Sequence, residues 1–112
     1  MTTIDSLMTL APVIPVLVVE DAAHAEPIAE ALVAGGLPVL EVTLRTAAAL
    51  DVIKAMKQVP GAVVGAGTVL NPADLDAALA AGAERAFCRR WKLACRRWPS
   101  KRSTRPRAWP CC

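Results

Sequence analysis

The first 87 residues contain no cysteine and no tryptophan, and the last 25 contain no acid and no glycine. Each absence excludes something. All four cysteines fall at Cys88, Cys95, Cys111 and Cys112. Their spacings make no CxxC knuckle, and His24 is distant, so neither a zinc site nor a disulfide framework is expected. No base precedes Arg45. The apolar stretch at residues 10–19 therefore lacks the charged flank of a signal peptide. At about ten residues, interrupted by Pro12 and Pro15, it is also too short to span a bilayer. The expected location is the cytoplasm, with no membrane partner.

What is present divides into two unlike segments. Residues 1–87 carry ten acids and four bases, a net charge of −6, while residues 88–112 carry nine bases, +9. The overall +3 describes neither part. Any nucleic-acid reading rests on the last 25 residues, where Trp91, Trp98 and Trp109 interleave with arginine and could stack on bases. No RNA-binding motif accompanies them.

The first segment alternates strand and helix signals. Residues 13–19 (VIPVLVV) form a β-branched run expected of a buried strand, weakened by Pro15. Residues 22–34 read as a helix with Asp21 as its N-cap and Gly35–Gly36 as its stop. Residues 38–44 (PVLEVTL) read as a second strand. Thr46 is placed to cap a helix over residues 47–58, with Leu50, Ile53, Ala55 and Met56 as its apolar stripe. Residues 62–66 read as a third strand. Asn71 followed by Pro72 is a helix start, and residues 85–87 open a fourth strand. His24 is expected to be exposed, and Asp74 and Asp76 to form a solvated first turn. The strand period of about 22 to 24 residues is that of one βα unit, which implies parallel strands with crossover helices.

Two motifs carry chemistry. Gly65-Ala66-Gly67-Thr68-Val69-Leu70 follows a strand, but Leu70 stands where a dinucleotide fingerprint needs its third glycine. The alternatives are a tight turn needing positive φ at glycine, or small residues that let Thr68 present its hydroxyl and N–H to a small ligand. In Glu41-Val42-Thr43-Leu44-Arg45-Thr46, alternation sets Val39, Glu41 and Thr43 on one strand face. A carboxylate there is costly unless paired or used. Glu41 with Arg45 fits a base beside an anion-binding guanidinium, or a structural ion pair.

VIPVLVVED, ALVAGGLPVLEVTLRT and VVGAGTVLNP followed by AGAERAF resemble the N-terminal part of the 2-keto-3-deoxy-6-phosphogluconate (KDPG) / 4-hydroxy-2-oxoglutarate (KHG) aldolases, over about residues 6–87. The resemblance implies an α/β fold: a partial (β/α)8 TIM barrel of about three and a half βα units, then an irregular tail. It implies a homotrimeric Schiff-base aldolase acting on small keto acids without a cofactor or metal. Retro-aldol cleavage releases pyruvate with glyceraldehyde 3-phosphate, or with glyoxylate. By motif match Glu41 is the catalytic acid/base, and Arg45 and Thr68 hold the pyruvate carboxylate. Such a mechanism needs one group to move protons and another to fix a carboxylate beside the imine.

The Phe-Lys-Phe-Phe-Pro-like strand that carries the family's Schiff-base lysine does not occur in the 112 residues, and no normal turnover is expected from this chain alone. Residues 88–112 read as a basic, irregular segment produced by a frameshift near Phe87. With GC-rich codons and two nucleotides dropped, one allowed frame reads PALEAGLPPLAVEAFDAASGLALL, an amphipathic helix followed by a β-rich run. The alternative is a non-enzymatic fragment whose tail binds nucleic acid.

Overall fold

The computed structural model describes residues 4–88. The expectations for residues 89–112 lie outside the described residues. The elements run α1 (Ile4–Leu10), β1 (Val16–Leu17), a 3-10 turn (Ala22–His24), α2 (Ala25–Ala34), β2 (Val39–Thr43), α3 (Ala49–Lys57), β3 (Val63–Val69), α4 (Pro72–Ala80) and β4 (Arg85–Cys88). The four strands form one sheet in the order β1-β2-β3-β4, every neighbouring pair parallel. This is the α/β arrangement that the strand–helix alternation implies.

The two sheet faces have different cover. Leu40 and Val42 of β2 and Val64 and Ala66 of β3 alternate onto one face. There they pack with Ala25 and Ala29 of α2, Val52, Ile53 and Met56 of α3, and Leu75 and Ala78 of α4. On the other face a smaller cluster joins Leu7 and Ala11 to Val39, with Ile14 and Val63 against it. The segment of α1 thus covers the amino-terminal end of β2 and β3. Glu41 and Thr43 share the face of Val39 and lie beyond that cover, toward the carboxyl ends of the strands.

Several local expectations hold. The Asp21 side chain accepts from the Ala23 N–H at 2.9 Å, and the Asn71 side chain accepts from the Asp74 N–H at 2.8 Å. His24 is exposed, and Gly36 closes α2 at φ 89°.

Others change, for stated reasons. β1 pairs over two residues rather than seven: Pro15 has no N–H to donate on its amino-terminal side, and beyond its carboxyl end the Val19 carbonyl is taken by the Thr46 hydroxyl instead of a strand. The 22–34 helix is split, its first turn being 3-10. The third helix starts at Ala49, with Ala48 at its N-cap and no side-chain cap. Thr46 is not a cap; its hydroxyl donates to the Val19 carbonyl at 3.0 Å. Asp74 is held rather than merely solvated: its Oδ2 accepts from Asn71 Nδ2 at 2.8 Å and from the Leu70 N–H at 3.4 Å. The short helix α1 has no counterpart among the elements the sequence predicts.

Candidate functional site

β2 and β3 are in register from Val39 opposite Val63 to Thr43 opposite Gly67. The ladder extends one bond further, because the Leu44 N–H donates to the Gly67 carbonyl at 2.9 Å. The carboxyl ends of the two strands therefore finish side by side. Arg45 leaves one end and Thr68 stands at the other.

Glu41 is half-buried on the face that α1 leaves open at this end. Its N–H donates to the Pro15 carbonyl at 3.0 Å, which ties β2 to the segment before β1. Its side chain reaches diagonally across to β3. A Cβ added at Gly67 would land on Glu41 Oε1, 2.9 Å from Cδ and 3.1 Å from Cγ. Desolvation by burial pushes the Glu41 carboxyl above its ordinary value of 4.5. The cause is physical: moving a carboxylate off water disfavours its charged form.

Two threonines tie β1 to this end of the sheet. The buried Thr43 hydroxyl donates to the Leu17 carbonyl at 3.1 Å. Thr46 does the same for Val19, two residues along. Both carbonyls belong to the edge strand or its continuation, where ladder partners run out. Neither role was read from the sequence. The available signal was the Thr-x-x-Thr spacing on and just after a strand, which also fits a helix cap.

Arg45 is exposed, and among the described residues no ion pair joins it to Glu41. Of the alternatives left open for this motif, the structural ion pair is not formed. A guanidinium that does not neutralise Glu41 remains available for an external anion, and Glu41 can keep a perturbed proton affinity.

The glycine motif also resolves. β3 runs through Val69, so Gly65, Ala66 and Gly67 are strand residues rather than a turn. The glycines with positive φ are elsewhere, and the left-handed residue of this motif is Thr68, at φ 58°. A threonine there is strained, because its branched Cβ crowds the backbone. The ladder to β4 slips between Gly67 and Val69. As a result Val69, which simple alternation would set on the Gly67 face, packs instead into the helix-side core. The strain sits at the carboxyl end of a parallel strand, where α/β enzymes build their sites. Among the described residues no group of His, Cys, Asp and Glu could hold a metal.

The family described as "KDPG and KHG aldolase" matches residues 4–88. The chain belongs to that aldolase family. It is 74% identical to a 2-dehydro-3-deoxy-phosphogluconate aldolase of Zymomonas mobilis over 81 residues, 72% of this chain and 39% of the relative. It is 57% identical to the KHG/KDPG aldolase of Escherichia coli over 84 residues, again 39% of the relative. The chain thus spans about two-fifths of the length of these aldolases. The crystal structure of the KDPG aldolase of Zymomonas mobilis superposes with a TM-score of 0.75 at 69% identity, over 78% of this chain and 42% of that one. A KDPG aldolase of Legionella pneumophila, solved with pyruvate captured as a covalent carbinolamine, superposes with a TM-score of 0.72 at 42% identity, over 78% of this chain and 43% of that one.

Proposed function

We propose that this chain is the amino-terminal part of a KDPG/KHG-type Schiff-base aldolase, a partial (β/α)8 barrel that carries the acid/base and the carboxylate pocket. In this reading Glu41 moves protons during retro-aldol cleavage, and Arg45 and Thr68 hold the pyruvate carboxylate. Cleavage would give pyruvate with glyceraldehyde 3-phosphate from the phosphogluconate, or with glyoxylate from hydroxy-oxoglutarate. The reading also carries the family's cytoplasmic homotrimer.

The observation that carries it is Glu41 itself. It is a half-buried carboxyl with raised proton affinity, lying across β3 next to a strained Thr68. A general acid/base works best when its pKa is moved toward the working pH. Arg45, unpaired with Glu41 and two residues past the β2 end, suits a substrate carboxylate.

The chain alone would not turn over. Class I cleavage needs a lysine amine to condense with the keto carbon, and the lysines among the described residues, Lys54 and Lys57, both lie on helix α3. Lys57 is engaged by Glu84. Neither stands at a strand's carboxyl end. We take residues 88–112 to be the product of a frameshift near Phe87, which replaces the lysine-bearing remainder of the family's barrel.

The test is a graft. Residues 6–87 replace the matching segment of the Escherichia coli relative, and pyruvate release from KDPG is followed. The chimera is expected to turn over, and Glu41→Gln within it to lower kcat by about a hundredfold or more, the usual worth of a positioned acid/base. A folded chimera without activity would sink the reading. The 112-residue chain, incubated with pyruvate and borohydride, is expected to gain no lysine adduct.

A further inference from the structure

Gly67 is a glycine that its own backbone does not require. Its φ is not in the left-handed region, unlike that of Gly36, Gly61 or Gly82. It lies inside β3, where glycine costs entropy and contributes no packing. Something else must exclude a side chain, and the nearest atoms show what. A Cβ at Gly35 would meet the Ala31 carbonyl at 3.2 Å, and one at Gly82 would meet Lys57 Cγ at 3.3 Å. Both are ordinary scaffold neighbours. A Cβ at Gly67 would meet three consecutive atoms of Glu41: Oε1, Cδ and Cγ.

The backbone there has no room to yield. Gly67 stands opposite Thr43 in the β2 ladder. Its carbonyl is held by the Leu44 N–H, and the next residue is already strained at φ 58°. Thr43 is itself fixed to β1 through the Leu17 carbonyl. A methyl group at position 67 would therefore be accommodated by moving the Glu41 side chain, not the strand. Rotating the carboxylate alone would not suffice, because Cγ is also too close.

We propose that Gly67 is a positioning residue for Glu41: its bare backbone is the floor on which the carboxylate rests at the carboxyl end of β3, beside Thr68. The proposal rests on the reading of Glu41 as the aldolase acid/base, but it concerns where that group is held. An acid/base displaced by an ångström loses much of its effect. The strand glycine is thus kept for Glu41's geometry, at some cost in strand stability.

The full 112-residue chain is compared with its Gly67→Ala, Glu41→Ala and double variants by two readouts. One is the Glu41 side-chain carboxyl titration followed by carbon-detected NMR, and the other is the thermal unfolding midpoint. In Gly67→Ala the titration midpoint is expected to fall toward the ordinary carboxylate value, as the group leaves the desolvated floor. Near pH 4, where Glu41 holds its proton and moving it relieves no desolvation cost, the unfolding midpoint is expected to drop by a few degrees. In the Glu41→Ala background the same change at position 67 is expected to cost little or nothing. The proposal is overturned if Gly67→Ala leaves the Glu41 titration unmoved, or if its loss of stability is as large with Glu41 removed. Should Gly67→Ala not fold, the two Glu41→Ala proteins decide, since the proposal requires the double variant to fold like the single one. Neither readout uses substrate, so a negative result here is separate from failure of the grafted aldolase.

Discussion

Burial that raises the Glu41 carboxyl above 4.5 makes this residue a pH-dependent liability for the fold. Between the ordinary value and the raised one, the folded chain binds more protons than the unfolded chain. Stability therefore falls as pH rises through that window, and is flat below it. Glu41→Gln keeps the shape and removes the titration. The variant is expected to be more stable than the parent at neutral pH, with the difference closing as the pH falls to about 4. Urea midpoints measured across that range check it, and a difference independent of pH would refute it. Thr46 gives a second single-residue expectation. Thr46→Val keeps the branched shape but deletes the donor to the Val19 carbonyl. A loss of about 1 kcal/mol in the same urea experiment is expected. Glu41 was legible as a candidate because an acid inside an apolar strand signal needs a reason. The sequence position of Thr46 suits a helix cap equally well. Only the tertiary position of Val19, 27 residues away, decides between the two.

Elements were legible where their sequence signal is local and redundant. α4 is the clearest case. Asn71 accepts from the Asp74 N–H and Pro72 occupies the first turn, as the Asn-Pro pair implies, and Leu75 and Ala78 face the core. Asn71 does more than cap, because its amide also donates to Asp74 Oδ2. Asn71→Ala is therefore expected to cost about 1 to 2 kcal/mol, toward the upper part of the range for cap deletions. Asn71→Asp should restore the cap but place two carboxylates together, and should recover only part of the loss. A circular-dichroism melt of both variants measures this, and a neutral Asn71→Ala would show the cap to be redundant. Helix α1 was not legible because its pattern is broken. Leu7 is buried, but Met8 and Leu10 are 61% and 52% exposed, so apolar residues occur on both sides of the helix. β3 was underestimated at its carboxyl end for a similar reason. Glycine and threonine read as a turn in one dimension, while pairing with β2 as far as Gly67 and with β4 as far as Val69 carries the strand through them.

At the scale of the molecule, the described sheet has two unpaired edges, β1 on one side and β4 on the other. β1 is short, and Val13, Val16 and Val18 on and beside it are 57%, 61% and 56% exposed. An apolar strand edge with free backbone groups is a template for further pairing. A second driver is present in the same chain, since residues 1–87 carry −6 and residues 88–112 carry +9. Opposite charge on separate molecules also favours association, but that attraction is screened within about 10 Å at 0.1 M salt. The two causes therefore separate experimentally. We expect the chain to elute above its 11.8 kDa monomer mass in size exclusion with light scattering. We expect this to persist at 0.5 M salt. Val16→Lys puts a charge on the β1 edge without touching the buried core, and should shift the population toward monomer. If salt alone dissolves the assembly and Val16→Lys does not, charge rather than the open sheet holds it together. A monomer under all conditions would mean that these edges are covered within the chain itself.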